Sequence, residues 1–579
     1  MSKASVVTER VRAVRALMRE QRLDGLIVRG TDRYLNEYVP AAESTRVWLT
    51  GFTGSAGDAF LTLERGWVAV DGRYTLQADD ELAGTPFVPE HLPLGKSIGS
   101  AIADLMRAAA ERGVRRVGYE PDRTSVKAFE ALERAASAAG VELVPTLPSL
   151  VELARGPVKE RALPLRPVDE ASVGRSVAEK VALARGALEA AEVDAYAVVP
   201  LDALAYLTNL RGDDFPYQAT FRGLGILTRE RVLLAVDPER LAPEAREARA
   251  DAIEWTGPKD WAEGLAGRVG FDPADTTCAV RDAIAAAGAE AVPMPSPLAP
   301  MKAKKTPAEL EAMRRAFRAA DAVVDGVVAW VHERLDAGER VSELDLANEV
   351  ERRFLASGAT GLSFRVIAAA GEHGAIIHYS TPDPERFLEP DELVLLDTGA
   401  YYAEGYATDL TRTFLAGSPA RIPSARPEQR RMFTLVLKAA IAGMSARLPE
   451  GATGVQLDAL VRAPLWAEGL DFRHGTGHGV GINVHEAPPR ISTRGSDALE
   501  VGHVFSIEPG LYLPGQGGVR IENLCTVVPA EGAPGYLDVV PLTFAALDER
   551  LIDSDRLTAR ERRWLEGYRT ERARGAASP

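Results

Sequence analysis

Cysteine is almost absent from this 579-residue chain. Cys278 and Cys525 give neither a disulfide framework nor a thiolate zinc spacing. Long apolar runs are missing too, and none approaches the roughly 20 residues a membrane-spanning helix needs. The stretch MSKASVVTERVRAVRALMRE carries charges throughout and lacks the apolar centre of a secretory signal, so the cytoplasm is the expected location. A basic excess is also lacking. With 68 Lys and Arg against 83 Asp and Glu, the formal net charge of −15 disfavours nucleic acid and anionic membrane as partners. Histidine is scarce, and six of the eight lie between residues 373 and 503. His91, His332 and His503 read as ordinary core or surface residues.

What is present divides into three blocks, since a chain this long exceeds one hydrophobic core. Loop-like stretches at 152–174 and 291–305, rich in Pro and then basic, set the expected domains at 1–165, 166–300 and 301–579. The first two blocks read as copies of one small α/β unit. LDGLIV (23–28) is answered by VDAYAV (193–198), VWLTGFTGS (47–55) by AYLTNLRGD (205–213), and LERGWVAVDGR (63–73) by TRERVLLAVDPER (228–240). The third block opens on a helix, with Thr306 and Glu309 as a capping box and Pro307 at the first helical position. Leu310, Met313, Phe317, Ala320, Val324 and Val327 continue it as an apolar stripe.

The chemistry gathers in this third block. In FRHGTGHGVGINVHEAP (472–488), His474 and His478 stand four apart, the spacing of a helical zinc site. Gly475, Gly477, Gly479 and Gly481 argue against a helix, because each costs about 1 kcal/mol there. Glycines instead let a strand or loop pass close to a metal and aim His478 inward. Four carboxylates stand in strand-like runs where acids are depleted: Asp397 in DELVLLDTGAYY, Asp409 in GYATDLTRTF, Glu508 in GHVFSIEPGLYL and Glu522 in GGVRIENLCTVV. Singly, each has a bland reading; Asp397 can cap a turn and Glu522 can pair with Arg520. Jointly, four buried carboxylates and one imidazole call for a shared compensating charge, with divalent metal as the economical candidate. An oxygen-rich set favours Mn²⁺, with Co²⁺ or Zn²⁺ as alternatives. Four carboxylates nearly balance two such ions about 3.5–4 Å apart, with room for a bridging hydroxide.

The order Asp397, Asp409, His478, Glu508, Glu522, set in DTG, TDLTRT, HGTGHGVG, IEPG and RIEN, resembles the creatinase/methionine-aminopeptidase, or pita-bread, metallopeptidases. The layout of three blocks looks like the cytosolic aminopeptidase P type, which removes a residue preceding proline. NEYVPAAESTRVWLTGFTGSAG (36–57), LAYLTNLRGDDFPY (204–217), GAIIHYSTP (374–382) and RLIDSDRLTARERRWLEGY (550–568) extend the likeness over nearly the whole chain. It implies an α+β fold, with two duplicated creatinase-N-terminal-like α/β domains followed by a C-terminal pita-bread domain. By the same resemblance, Asp397 binds one metal, Asp409 and Glu522 bridge both, and His478 and Glu508 complete the second site. Glu508 also shuttles the proton. His378 and His485 flank the substrate, His474 lines the same pocket, and Arg46 reaches a peptide substrate across a homodimer contact.

One departure concerns spacing. The family's first two aspartates stand eleven apart and these stand twelve apart, which would slip a strand's facing by one residue. A longer hairpin turn or a bulge in YAEGYAT, with Gly405 absorbing the extra residue, is the expected remedy. The step from His478 to His485 is also shorter than in some relatives. Three rivals stand beside the aminopeptidase. An Xaa-Pro dipeptidase shares the metal set but has one N-terminal domain. A creatine-hydrolysing relative lacks the carboxylates, and a non-catalytic peptide- or histone-binding module loses ligands.

Overall fold

The computed structural model describes residues 2–93 and 95–577; residues 1, 94, 578 and 579, which belong to the first and third expected domains, lie outside the described residues. Two compact units form. One comprises Met1–Pro167, Arg175–Pro216 and Thr220–Leu298; the other comprises Val168–Gly174, Tyr217–Ala219 and Ala299–Pro579.

In the first unit LDGLIV supplies the strand Gly25–Val28, buried at every residue as befits a central strand covered on both faces. It is the first of six, with Asp58–Thr62, Gly66–Val70, Phe87–His91, Arg116–Tyr119 and Glu142–Pro145, and their order across the sheet is four-three-two-one-five-six. A second sheet repeats that order with Ala195–Val198, Leu224–Thr228, Val232–Ala235, Ile253–Thr256, Arg268–Phe271 and Glu290–Pro293. In both sheets the first strand runs antiparallel to the second and parallel to the fifth. The paired motifs therefore occupy equivalent places. VWLTG and AYLTN close the short helices Thr45–Thr50 and Leu201–Thr208, and the capping residues Gly51 (φ +77) and Asn209 (φ +52) are both left-handed.

The copies also meet reciprocally. Ser125 and Thr277 cap the equivalent helices Val126–Ala139 and Cys278–Ala286. The Val126 N–H donates to the Thr276 carbonyl at 2.9 Å, and the Cys278 N–H donates to the Thr124 carbonyl at 3.0 Å. Such an exchange is what a pseudo-twofold between duplicated parts produces.

The second unit begins with the helix Pro307–Asp336, closed at its start by the Thr306–Glu309 capping box. Met313, Phe317, Ala320, Val324 and Val327 are buried along it, as the stripe predicts, whereas Leu310 is half-buried. This helix and Glu343–Ala356 cover one face of the three-stranded sheet Ile367–Ala370, Leu393–Thr398 and Leu410–Leu415. A second pair, Pro427–Met444 and Gly454–Trp466, covers a six-stranded sheet that includes Gly477–Gly479, Val504–Ile507 and Asn523–Pro529. Strand alternation then sorts the side chains. Val394 and Leu396 join the helix-side core, while Leu395 packs with Ile367 and Ala369 on the opposite face, which Asp397 shares.

Candidate metal centre

Asp397 and Asp409 meet through the register of one hairpin. Leu393 pairs with Leu415, Asp397 with Thr411, and Tyr401 with Ala407, so the register is unchanged along its length. Asp409 lies two residues from Asp397's partner and therefore on the same face. The turn tip closes with the Gly405 N–H on the Tyr402 carbonyl at 2.8 Å, Gly405 standing at φ +71. Among the described residues, no bulge interrupts the hairpin between Asp397 and Asp409, and Gly405 stands in its turn. Asp409 itself stands just before the strand Leu410–Leu415 rather than inside it.

Glu522 corrects another expectation. It is not mid-strand: Gly517–Arg520 ends before it and Asn523–Pro529 begins after it, in a different sheet. At that switch its N–H reaches the Thr411 carbonyl at 3.2 Å, and its Oε2 accepts the Thr411 hydroxyl at 2.8 Å. Arg520 pairs elsewhere. Its Nη2 donates to Asp397 Oδ2 at 2.6 Å, Nη1 to the Tyr512 hydroxyl at 2.9 Å, and Nε to the Thr411 hydroxyl at 3.1 Å.

The glycine-rich stretch is extended, as its composition predicts. Gly477–Gly479 is a strand, and a Cβ at Gly477 would lie 1.8 Å from the Ser506 carbonyl oxygen, so no larger residue can pass there. His478 Nδ1 lies 3.1 Å from the Gly479 carbonyl, which directs Nε2 to within 3.5 Å of both Asp409 Oδ2 and Glu508 Oε1. A carbonyl partner on the far ring nitrogen is the usual way a metal-binding imidazole is oriented. Ligand atoms of Asp409, His478 and Glu522 all lie within 4.8 Å of one another.

The electrostatics are those of a site built for cations. Burial, then the charges of Glu522, Asp397 and Glu508, push the Asp409 carboxyl well above its ordinary range. Burial, with Glu508 and Asp397, does the same to Glu522. Asp397 Oδ1 is buried and accepts no hydrogen bond. Four crowded carboxylates, one of them with an orphaned oxygen, and one oriented imidazole fit two divalent ions.

His485 and His474 stand beside this cluster. His485 stacks edge-on against His478, with ring centroids 4.3 Å apart. His474 Nε2 lies 2.9 Å from the Tyr512 hydroxyl, and its Nδ1 lies 3.8 Å from Glu508 Oε2. His378 follows Ile377, whose carbonyl accepts from Arg520 at 3.2 Å. Its loop is held by Glu343, which accepts from the Ala370 N–H, His373 Nδ1, the Tyr379 hydroxyl and the Asp383 N–H at 2.7–3.1 Å. Arg46 is only 2% exposed within its own domain, where its guanidinium lies 4.9 Å from the Phe52 ring centre and donates to the Gly54 carbonyl. Arg520, Tyr512 and Glu343 were not picked out as functional from sequence. The RIEN motif contains Arg520, but nothing local signals which acid it serves.

The profile of metallopeptidase family M24 matches residues 311–529, and profiles of the creatinase/prolidase N-terminal domain match 10–155 and 157–309. A probable Xaa-Pro aminopeptidase P of Coprinopsis cinerea is 33% identical over 97% of this chain and 94% of its own length. The X-prolyl aminopeptidase of Caenorhabditis elegans, described as a cytosolic enzyme with a di-nuclear active site, superposes with a TM-score of 0.90 at 27% identity, covering 99% of this chain and 96% of that one. A prolidase of Pyrococcus horikoshii reaches a TM-score of 0.51 at 26% identity and covers 64% of this chain but 99% of its own. The chain belongs to metallopeptidase family M24, with two creatinase-type domains ahead of a pita-bread catalytic domain. Within that family it matches Xaa-Pro aminopeptidases over nearly its whole length.

Proposed function

We propose that the chain is a dinuclear-metal aminopeptidase that hydrolyses the N-terminal Xaa–Pro bond of peptides. Its likeness to Xaa-Pro aminopeptidases over nearly its whole length carries the reading; the prolidase accounts for only 64% of the chain. In this proposal Asp397, Asp409, His478, Glu508 and Glu522 would hold the two ions. Manganese is the proposed metal, supported by the oxygen-rich donor set. When bound, the ions would lower the pKa of a water and hold negative charge developing on the substrate oxygen.

The chain's own groups do the rest. Glu508, its Oε1 3.5 Å from His478 Nε2 and its Oε2 3.8 Å from His474 Nδ1, takes the proton of the attacking water. It passes that proton to the proline nitrogen, which must leave as a secondary amine. His485 and His378 donate toward the carbonyl oxygen as it gains charge, and His474, linked to Tyr512, lines the same wall. Arg520 holds Asp397 in place through its 2.6 Å bond. Among the described residues, no helix is long and apolar enough to cross a membrane. Cytoplasmic residence is supported by the description of the C. elegans relative, and a homodimer, with Arg46 near the substrate, by the family resemblance.

Metal-stripped protein incubated with and without Mn²⁺ tests the reading. Cleavage of an Xaa-Pro-Xaa tripeptide is expected only with metal. Cleavage of the Xaa-Pro dipeptide alone would select a prolidase, and no cleavage with any divalent metal would leave a peptide-binding module.

A further inference from the structure

Outside the carboxylate cluster, the catalytic unit buries another charged group whose role the proposed chemistry does not explain. The Glu486 side chain is 1% exposed and lies 2.9 Å from Lys302 Nζ and 3.3 Å from Lys305 Nζ, both lysines being nearly as buried. Lys305 Nζ also donates to the Lys302 carbonyl at 2.7 Å, and the Asn483 N–H donates to Glu486 Oε1 at 3.1 Å. Burial pushes the Glu486 carboxyl up, but the two ammonium groups outweigh it and hold the group well below the usual carboxylate range. Two buried ammonium ions on one carboxylate are a poor way to gain stability, since apolar side chains of similar volume usually serve as well or better. Such a triplet can instead fix the position of the segment it anchors.

What it determines can be read from the neighbours. Residue 486 directly follows His485, and its carboxylate folds back under the turn that carries that histidine. A Cβ at Gly481 would lie 2.4 Å from Glu486 Oε2, so any side chain there would displace the carboxylate. The Gly481 N–H bonds to the Asn483 carbonyl at 3.0 Å, closing the turn. The Gly481 carbonyl in turn accepts the Ala407 N–H at 2.8 Å, two residues before Asp409. One anchored turn therefore touches both halves of the candidate centre: His485 against the His478 ring, and the hairpin that presents Asp409.

We propose that the Lys302–Glu486–Lys305 triplet is a positioning device that seats the turn 480–486 and holds His485 at the substrate side of His478. This rests on the aminopeptidase reading above. It also reassigns a stretch of chain. Lys302 and Lys305 fall within the match to the creatinase-type N-terminal profile, 157–309, and ahead of the M24 match at 311–529. Structurally they belong to the catalytic unit. The segment that leads into the catalytic domain thus supplies the seat of a catalytic histidine.

The test is a double-mutant cycle on the full-length, Mn²⁺-loaded protein. Lys302→Met combined with Glu486→Gln keeps the net charge of the triplet, since Lys305 remains, and it nearly preserves volume. We expect kcat on an Xaa-Pro-Xaa tripeptide to fall about 10- to 100-fold, the range for a catalytic group displaced by an ångström or less. KM should stay within about threefold, and two equivalents of Mn²⁺ should remain bound by elemental analysis. In a His485→Asn background the same pair of changes should alter kcat less than about twofold, because a seat without its occupant has nothing to position. Should the pair fail to fold, Glu486→Asp keeps every charge and only withdraws the carboxylate; it should lose a smaller part of kcat, again only when His485 is present. Losses that multiply in the His485→Asn background, an unchanged kcat in either variant, or loss of bound metal would overturn the positioning role. Wild-type protein that cleaves no tripeptide would remove the underlying reading as well, so the two failures are told apart by the wild-type control.

Discussion

Buried carboxylates meet opposite surroundings in the N-terminal unit and at the candidate metal centre. In the N-terminal unit Asp214 is fully buried, yet it accepts the N–H groups of Leu163 and Arg222, and Arg240 Nη2 donates to both its oxygens, all at 2.7–2.8 Å. Glu120, equally buried, accepts the Arg29 N–H and the Ser149 hydroxyl. In the catalytic unit Asp409 and Glu522 face other acids, Thr411 supplies a single hydroxyl to Glu522, and Arg520 is committed to Asp397. The difference separates two uses of one residue type. An acid ringed by donors is architecture and completes itself within the chain. Acids that crowd one another keep a place for cations from outside.

That contrast can be broken or sharpened by experiment. The largest effect is expected from Glu522→Gln, which should lower kcat by ~10³-fold or more while the protein stays folded, as judged by circular dichroism. Near-normal turnover would deny Glu522 a place at the centre. Metal removal comes next. Because Asp409 and Glu522 are held above their ordinary pKa, their contribution to the metal-free fold is present at low pH and lost as pH rises through the raised values. At one fixed Mn²⁺ concentration the gain in stability, about 4 kcal/mol where that concentration is a thousandfold above Kd, should therefore be greater at pH 8 than at pH 5.5, because protons compete with the metal at the lower pH. Calorimetry that finds no pH dependence would contradict the crowding argument.

Asp214→Asn probes the other side of the comparison. Breaking a buried pair should cost about 3–5 kcal/mol in denaturant unfolding, yet kcat per folded molecule should hold. His503 offers an intermediate case. Burial, with Lys305 and Lys304 adding to it against Glu500, holds its pKa down at about 4. Its contribution is complete above an unfolded pKa near 6.5 and is lost as pH falls toward 4, by up to ~3 kcal/mol. His503→Gln should flatten the stability profile across that window, and an unaltered profile would clear His503 of the role. The smallest effect is expected from Glu343→Gln, which loosens the loop carrying His378. A kcat loss of about 10- to 100-fold with little change in KM would separate positioning from substrate binding, and a pure KM effect would point the other way.

Much of this was legible in the residues. The duplication showed in three ordered motif pairs, because equivalent strands and caps impose equivalent residues; Gly51 and Asn209 share a left-handed cap. The candidate ligands showed because acids in apolar strands are conspicuous. Less legible was the break at Ile521–Glu522, where the chain changes sheets. The apolar residues on either side of Glu522 and Asn523 give no local sign of the two different neighbours they pair with. Arg520 was open to the wrong partner for the same reason: parity along a strand offered Glu522, whereas the fold brings Asp397 within 2.6 Å.

Local chemistry written into the chain determined the helix caps, the strand alternation, the repeat and the extended course of the glycine-rich stretch, since each depends on residues within a few positions of one another. Only tertiary structure decided which acid faces which: Asp397 and Asp409 share a face through hairpin register, Glu522 joins them from the point where the chain changes sheets, and Glu486 is gripped by lysines more than 180 residues earlier. Electrostatic interactions act through space and strongly where water is excluded, so partners far apart in sequence are chosen by packing and not by the sequence around them.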